Sequence, residues 1–169
     1  KFAEQLQQAG ADALELNVYV VATDLEKSSA TLEAELFELV ESVTSEVEIP
    51  VSVKLSSSYT SIAYVANQVV GHGAQGLVFF NRFLQPDIRV DDLSLHSEIS
   101  FSNRDEMRVP LRWTAILYGR LAADIALSTG IHTGKDAVKA LLAGAQVTQV
   151  ASALYQYGID HISKLNSDI

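Results

Sequence analysis

Cysteine is absent from the 169 residues. That excludes disulfides, thiolate metal sites and a cysteine nucleophile or base, and it fits a reducing, cytoplasmic setting. Long apolar runs are absent too. No stretch approaches the ~20 residues that cross a bilayer. The opening KFAEQLQQAG has no basic segment leading into an apolar one, so it does not read as a signal peptide. Positive charge is scarce: 12 Lys and Arg stand against 21 Asp and Glu, a formal net charge of −9. The basic residues are scattered, whereas nucleic-acid phosphates need clustered cations. Neither a membrane nor a nucleic acid is expected as partner, and an anionic ligand must be held locally, by backbone N–H groups and one or two placed cations. There is no Walker sequence, no Ser-centred nucleophile elbow and no Gly-x-Gly-x-x-Gly after a strand. His72, His96, His132 and His161 lie far apart without metal-ligand spacing, so no metal is expected. His72 at a helix end and His161 on a terminal helix read as solvated.

What is present is a core-forming composition, 48% hydrophobic and 20% charged, and a repeated junction. Gln8-Ala9-Gly10-Ala11-Asp12, Gly71-His72-Gly73-Ala74-Gln75 and Leu142-Ala143-Gly144-Ala145-Gln146 each end a helical pattern at Gly and lead into a short apolar run. Glycine tolerates the positive φ that closes a helix. The spacing of these junctions suits βα units of about 31 residues. Five strands follow, at 13–17, 50–55, 76–81, 124–128 and 147–151. Helical periodicity fills the gaps at Thr31–Val43, Ser61–Val70, Pro110–Arg120, Lys135–Leu142 and Ala151–Leu165. Alternating βα units predict a parallel sheet, in a barrel or in an open doubly wound form.

The strands end in Asn17, Lys54, Asn81, Ser128 and Ser152, where parallel α/β folds place their sites. Lys54 stands alone in the apolar strand VSVKL. Burying an unpaired ammonium is costly, so it reads as counter-charge to a ligand. Asn17 and Asn81 can donate and accept at once, and Arg82 follows Asn81. The loop Ser128–Asp136 carries Gly130 and Gly134, and Thr133 can cap the next helix. Two helix N-termini, after this loop and after Ala151-Ser152, predict a phosphate site. Residues 82–109 make a long connection. The alternation in Leu93–His96 and Glu98–Phe101 predicts a small hairpin over the barrel mouth.

Taken in order, Ala11–Asn17, Pro50–Ser56, Phe80–Asp87, Leu111–Trp113, Gly130–Gly134 and Val150–Tyr155 resemble the dihydroorotate dehydrogenase family, over essentially the whole chain. Asn81-Arg82-Phe83-Leu84-Gln85-Pro86-Asp87 is similar to its dihydroorotate dehydrogenase-like subgroup. The resemblance implies an α/β fold, the (β/α)₈ barrel. Residues 1–169 would be the C-terminal part of a single FMN-binding domain: the last five βα units, with a hairpin insertion after the third strand present. The start at Lys1, inside a helical pattern and without Met, fits a piece of a longer chain.

The resemblance also implies FMN as cofactor. Lys54 and Asn81 would lie at the flavin ring, Thr129, Gly130, Ile131, Ala151 and Ser152 at its phosphate, and Asn17 at a dihydropyrimidine-like substrate. The implied activity is that of an oxidoreductase of pyrimidine biosynthesis, oxidising dihydroorotate to orotate with hydride transfer to flavin. Homo-oligomerisation stays open. The family's Cys or Ser base falls near Val20, and valine cannot take a proton. Tyr19 and Thr23 could replace it only if repositioned, so no catalytic residue is assigned. The alternatives are a flavin- or phosphate-binding barrel without that base, or a phosphate-binding barrel lyase or synthase.

Overall fold

The computed structural model describes residues 1–97 and 100–169. Helix α1 (Phe2–Gln8) precedes strand β1 (Leu14–Asn17). Helix α2 (Ser29–Glu46), β2 (Val51–Leu55), α3 (Ile62–Gly71) and β3 (Gly76–Phe79) follow. A hairpin, β4 (Asp87–Arg89) and β5 (Ser94–His96), leads to a 3₁₀ turn at Arg104–Met107. The chain then runs through α4 (Arg108–Leu117), β6 (Asp124–Ser128), α5 (Gly134–Leu142), β7 (Val147–Gln149), α6 (Ser152–Tyr157) and α7 (His161–Ser167).

The five long-range strands form one sheet in the order β1-β2-β3-β6-β7, every pair parallel. Asn17 aligns with Lys54, Lys54 with Val78, and Val78 with Ala126. Alternation sorts the side chains, because successive strand residues face opposite sides. Val53, Leu55, Leu77 and Phe79 are fully buried and pack with Leu36, Val40, Val65 and Val69 from α2 and α3. Glu15, Ser52 and Lys54 have the opposite parity and occupy the other, concave face.

One contact measures the curvature. Gln149 Nε2 on the last strand donates to Glu15 Oε2 on the first, at 2.5 Å. In a flat sheet these strands, four steps apart, would be separated by roughly 19 Å, beyond side-chain reach. The sheet is therefore rolled, and its five βα units are part of a (β/α)₈ barrel.

The repeated junction has a specific function in the fold. Gly10, Gly73 and Gly144 sit at φ 95°, 102° and 108°. After α3 and α5 the next residue back-bonds into the helix, Ala74 N to Val69 O and Ala145 N to Ala140 O. Gln75 and Gln146 then accept, through Oε1, the N–H of Val51 and of Ile125, so each joins its own strand to the neighbouring one.

The structure departs from the sequence reading in three places. The strands expected at 76–81 and 147–151 run 76–79 and 147–149, because the chain leaves the ladder to form the loops of the site, while the one expected at 124–128 keeps its bounds. The single helix expected over Ala151–Leu165 is two, broken at Gly158, whose φ 85° and ψ 166° no helix contains. The hairpin exists, but β5 pairs antiparallel with Asp87–Arg89. Glu98 and Ile99, in the expected second strand, lie outside the described residues. The partner strand was hidden because Asp87-Ile88-Arg89 is too short to show alternation.

Candidate functional site

A cavity of about 450 Å³ opens where β2, β3, β6 and β7 end. It brings together Lys54, Asn81, Thr129, Gly130, Ile131, Ala151 and Ser152, with Ser102, Ser128 and Gln149. Asn17 stands beside Lys54 in the ladder but does not line this cavity. Asn81 is held at the rim by its own amide, Nδ2 donating to Val18 O at 2.9 Å and Lys54 O at 3.2 Å.

Lys54 is not alone. Its ammonium lies 3.3 Å from Glu15 Oε1 and donates to Gln149 Oε1 at 3.0 Å. Three strands thus share one polar cluster, and the positive charge offered to a ligand is partly offset by Glu15. The sequence reading of an unpaired lysine is corrected here: Glu15 has the right parity on the adjacent strand β1, and curvature brings Gln149 of β7 to the pair.

The loop after β6 turns through two left-handed residues, Thr129 at φ 81° and Gly130 at φ 79°. At Gly130 the need for glycine comes from packing, since a Cβ would stand 2.6 Å from Met107 N. Thr129 takes the same conformation with a β-branched side chain, which costs energy. Thr133 caps α5 as expected, but its capping box is closed by Asp136. The Asp136 carboxylate, 2% exposed, accepts N–H groups from His132 and Thr133 and a two-pronged bond from Arg104 at 2.9 and 2.6 Å. Burial pushes this carboxyl up; the bonds from Arg104, Thr133 and His132 outweigh it and hold the pKa at about 2. The start of α5 therefore already holds a negative charge, and α6 spans only six residues with no side-chain cap. Both helices start where expected, with the first N-terminus filled by the capping box and the second without a side-chain cap. Loop backbone and hydroxyl groups line the opening beside them.

Residues 100–107 cross this loop like a strap. Arg82 ties it to β3 through the Ser100 carbonyl, Ser100 Oγ and Glu106. Phe101 stacks on Tyr155 of α6, with ring centroids 5.6 Å apart. Ser102, 5% exposed, accepts from Gly130 N at 3.3 Å. His132 Nε2 donates to the Ser102 carbonyl at 2.7 Å, and His161 Nε2 to the His132 carbonyl at 2.9 Å. His72 Nδ1 bonds Gln68 O at 2.7 Å. His72 and His161 are thus half-buried structural groups, not solvated ones. Among the described residues no group of three or more His, Cys, Asp and Glu could hold a metal ion. No helix among them is long and apolar enough to cross a membrane.

A second cavity, about 740 Å³, lies between the loop after β1, α2 and residues 83–86. Val18, Val20, Leu36 and Tyr59 line it. Burial, then Glu33, raises the Tyr59 phenol, so it keeps its proton. Tyr19 packs on Phe83 at 4.2 Å, and its hydroxyl accepts from Leu84 N at 3.0 Å. Val20, near which the family resemblance would put a base, is 58% exposed, with Tyr19 fastened beside it.

The lining groups fit a phosphate-bearing flavin. Lys54 offers a cation, Asn81 an amide carbonyl, and Ser152 and the Gly130 loop offer hydroxyl and backbone groups around one opening. Sequence reasoning missed Glu15, Gln149, Ser102, Arg104 and Asp136. Only the parity of Glu15 and the Thr133–Asp136 spacing of a capping box gave any signal.

Comparison with known proteins bears on the same features. The family model described as dihydroorotate dehydrogenase matches residues 1–169. The dihydroorotate dehydrogenase B (NAD(+)) catalytic subunit of Methanocaldococcus jannaschii is 30% identical over 136 residues, 79% of this chain and 44% of that protein. Its counterpart from Thermoplasma volcanium is 28% identical over 163 residues, 94% of this chain and 53% of that protein. The chain thus spans about half the length of these curated relatives. A crystal structure of DHODH from Eimeria tenella in complex with ferulenol superposes with a TM-score of 0.68 at 18% identity, covering 99% of this chain and 52% of that one. With this match along its whole length and the rolled parallel sheet, the chain belongs to the dihydroorotate dehydrogenase family.

Proposed function

We propose that residues 1–169 form the C-terminal part of an FMN-dependent oxidoreductase of the dihydroorotate dehydrogenase type, acting on a dihydropyrimidine-like substrate. The observation that carries this reading is the cavity joining Lys54, Asn81, Gly130 and Ser152 in a chain of this family. When bound, FMN supplies a two-electron hydride acceptor. Lys54, steadied by Glu15 and Gln149, provides positive charge toward negative charge developing on a ligand in the cavity. Asn81, with its amide hydrogens spent on backbone carbonyls, presents Oδ1 as an acceptor. Asn17, next to Lys54, holds the substrate.

Val20 supports a second reading: the barrel binds flavin but oxidises a substrate other than dihydroorotate, or none. Orthodox oxidation needs a base beside the reacting carbon, and valine supplies none. The test uses the complete natural protein, purified and examined for flavin absorbance, then supplied with dihydroorotate and an artificial electron acceptor. Orotate formation supports the first reading. A flavin-loaded protein that forms none supports the second. Absence of flavin binding, even after reconstitution, would overturn both.

A further inference from the structure

Ser102 is buried in the strap and connects the two loops of the proposed phosphate end. Gly130 N–H donates to its hydroxyl oxygen at 3.3 Å. That hydroxyl donates in turn to Ser152 Oγ at 2.9 Å, and the Ser102 N–H donates to the same Ser152 oxygen at 2.9 Å. A serine hydroxyl has one proton and two lone pairs. Both lone pairs of Ser152 Oγ are therefore taken by Ser102. Only its proton remains, on a residue that lines the cavity.

We infer that Ser102 is a positioning residue that locks the Ser152 hydroxyl as a dedicated donor to a phosphoryl oxygen of the ligand. This rests on the cofactor reading above. A hydroxyl free to rotate serves neutral and anionic ligands alike. One whose acceptor sites are filled favours the ligand with acceptor oxygens and no proton to give, and chained hydrogen bonds strengthen it as donor. Two further contacts hold the geometry: His132 Nε2 on the Ser102 carbonyl, and Phe101 stacked on Tyr155 one turn beyond Ser152. The arrangement thus selects a phosphorylated flavin over its dephosphorylated form.

The experiment compares FMN with riboflavin, by quenching of flavin fluorescence, in the complete protein and in Ser102→Ala, Ser102→Thr, Ser152→Ala and the double alanine variant. Ser102→Ala is expected to weaken FMN at least tenfold and riboflavin less than threefold. Ser102→Thr restores the preference. The double variant loses no more than Ser152→Ala alone, because the two hydroxyls act as one unit. A purely structural strap would weaken both ligands equally. Equal weakening, or additive losses in the double variant, would overturn the inference while leaving the cofactor reading intact. A wild-type protein with no preference for FMN over riboflavin overturns the cofactor reading and this inference with it. Should Ser102→Ala fail to fold, Ser102→Thr and Ser152→Ala decide: the first must keep the FMN preference and the second must lose it.

Discussion

Thr129 shows how a single residue can conflict with its place in the fold. Its φ of 81° suits glycine, and a β-branched side chain there adds roughly 1–3 kcal/mol of strain. The return is a weak hydroxyl contact to Phe80 O at 3.4 Å. Thr129→Gly is therefore expected to raise the unfolding free energy by about 1 kcal/mol, after the extra chain entropy of glycine is subtracted. Urea unfolding reads this directly, and a loss of stability would contradict it. Asp136 is the opposite case, a charge well provided for. Its carboxyl titrates near 2 in the folded protein against 3.8 ordinarily. The stabilisation, roughly 2 kcal/mol, is complete above about pH 4 and is lost as pH falls through 2. Asp136→Asn should remove it at neutral pH and flatten the acid limb of the stability profile. Identical acid sensitivity in the two proteins would show that another group dominates that limb.

At the scale of elements, the informative feature is the interruption between α6 and α7. Gly158 stands at φ 85°, ψ 166°, a region open in practice to glycine alone. A Cβ there would meet nothing within 4 Å, so sterics between elements are not involved. Gly158→Ala is thus expected to cost about 1–3 kcal/mol through the backbone only, seen as a lower melting temperature with wild-type flavin affinity. The break matters because it turns α7 back against α5, where Leu165 is buried and His161 reaches the His132 carbonyl. A continuous helix over 151–165 could not make that return. Periodicity alone suggested the continuous helix, since the apolar positions either side of Gly158 stay roughly in phase.

For the whole molecule, the sheet has two edges among the described strands, β1 and β7, each paired on one side only. Such edges are templates for further pairing. Residues 1–169 expressed by themselves are expected to self-associate and to bind a hydrophobic dye. The chain extended to the length of its curated relatives should stay dispersed. A compact, stable monomer of the 169-residue segment in solution scattering would contradict this. The curvature that makes the site also sets these edges: Glu15, Lys54 and Gln149 meet only because β1 and β7 bend toward each other.

Local chemistry made much of this legible in advance. Glycine at the αβ junctions, alternation within the strands, and the polar ends at Lys54, Asn81, Ser128 and Ser152 specify βα units and place a site at one end of the sheet. The family resemblance, carried over residue by residue, implies a base near Val20, and valine cannot take a proton. Three decisions belonged to the tertiary structure. Rolling of the sheet brought Gln149 to Lys54 and Glu15, Asp136 filled the start of α5, and the strap brought Ser102 between Gly130 and Ser152. The long-range bonds that make them join residues 28 to 134 positions apart. A sequence records which groups exist and how neighbours alternate, while contact across a curved sheet depends on where the chain returns.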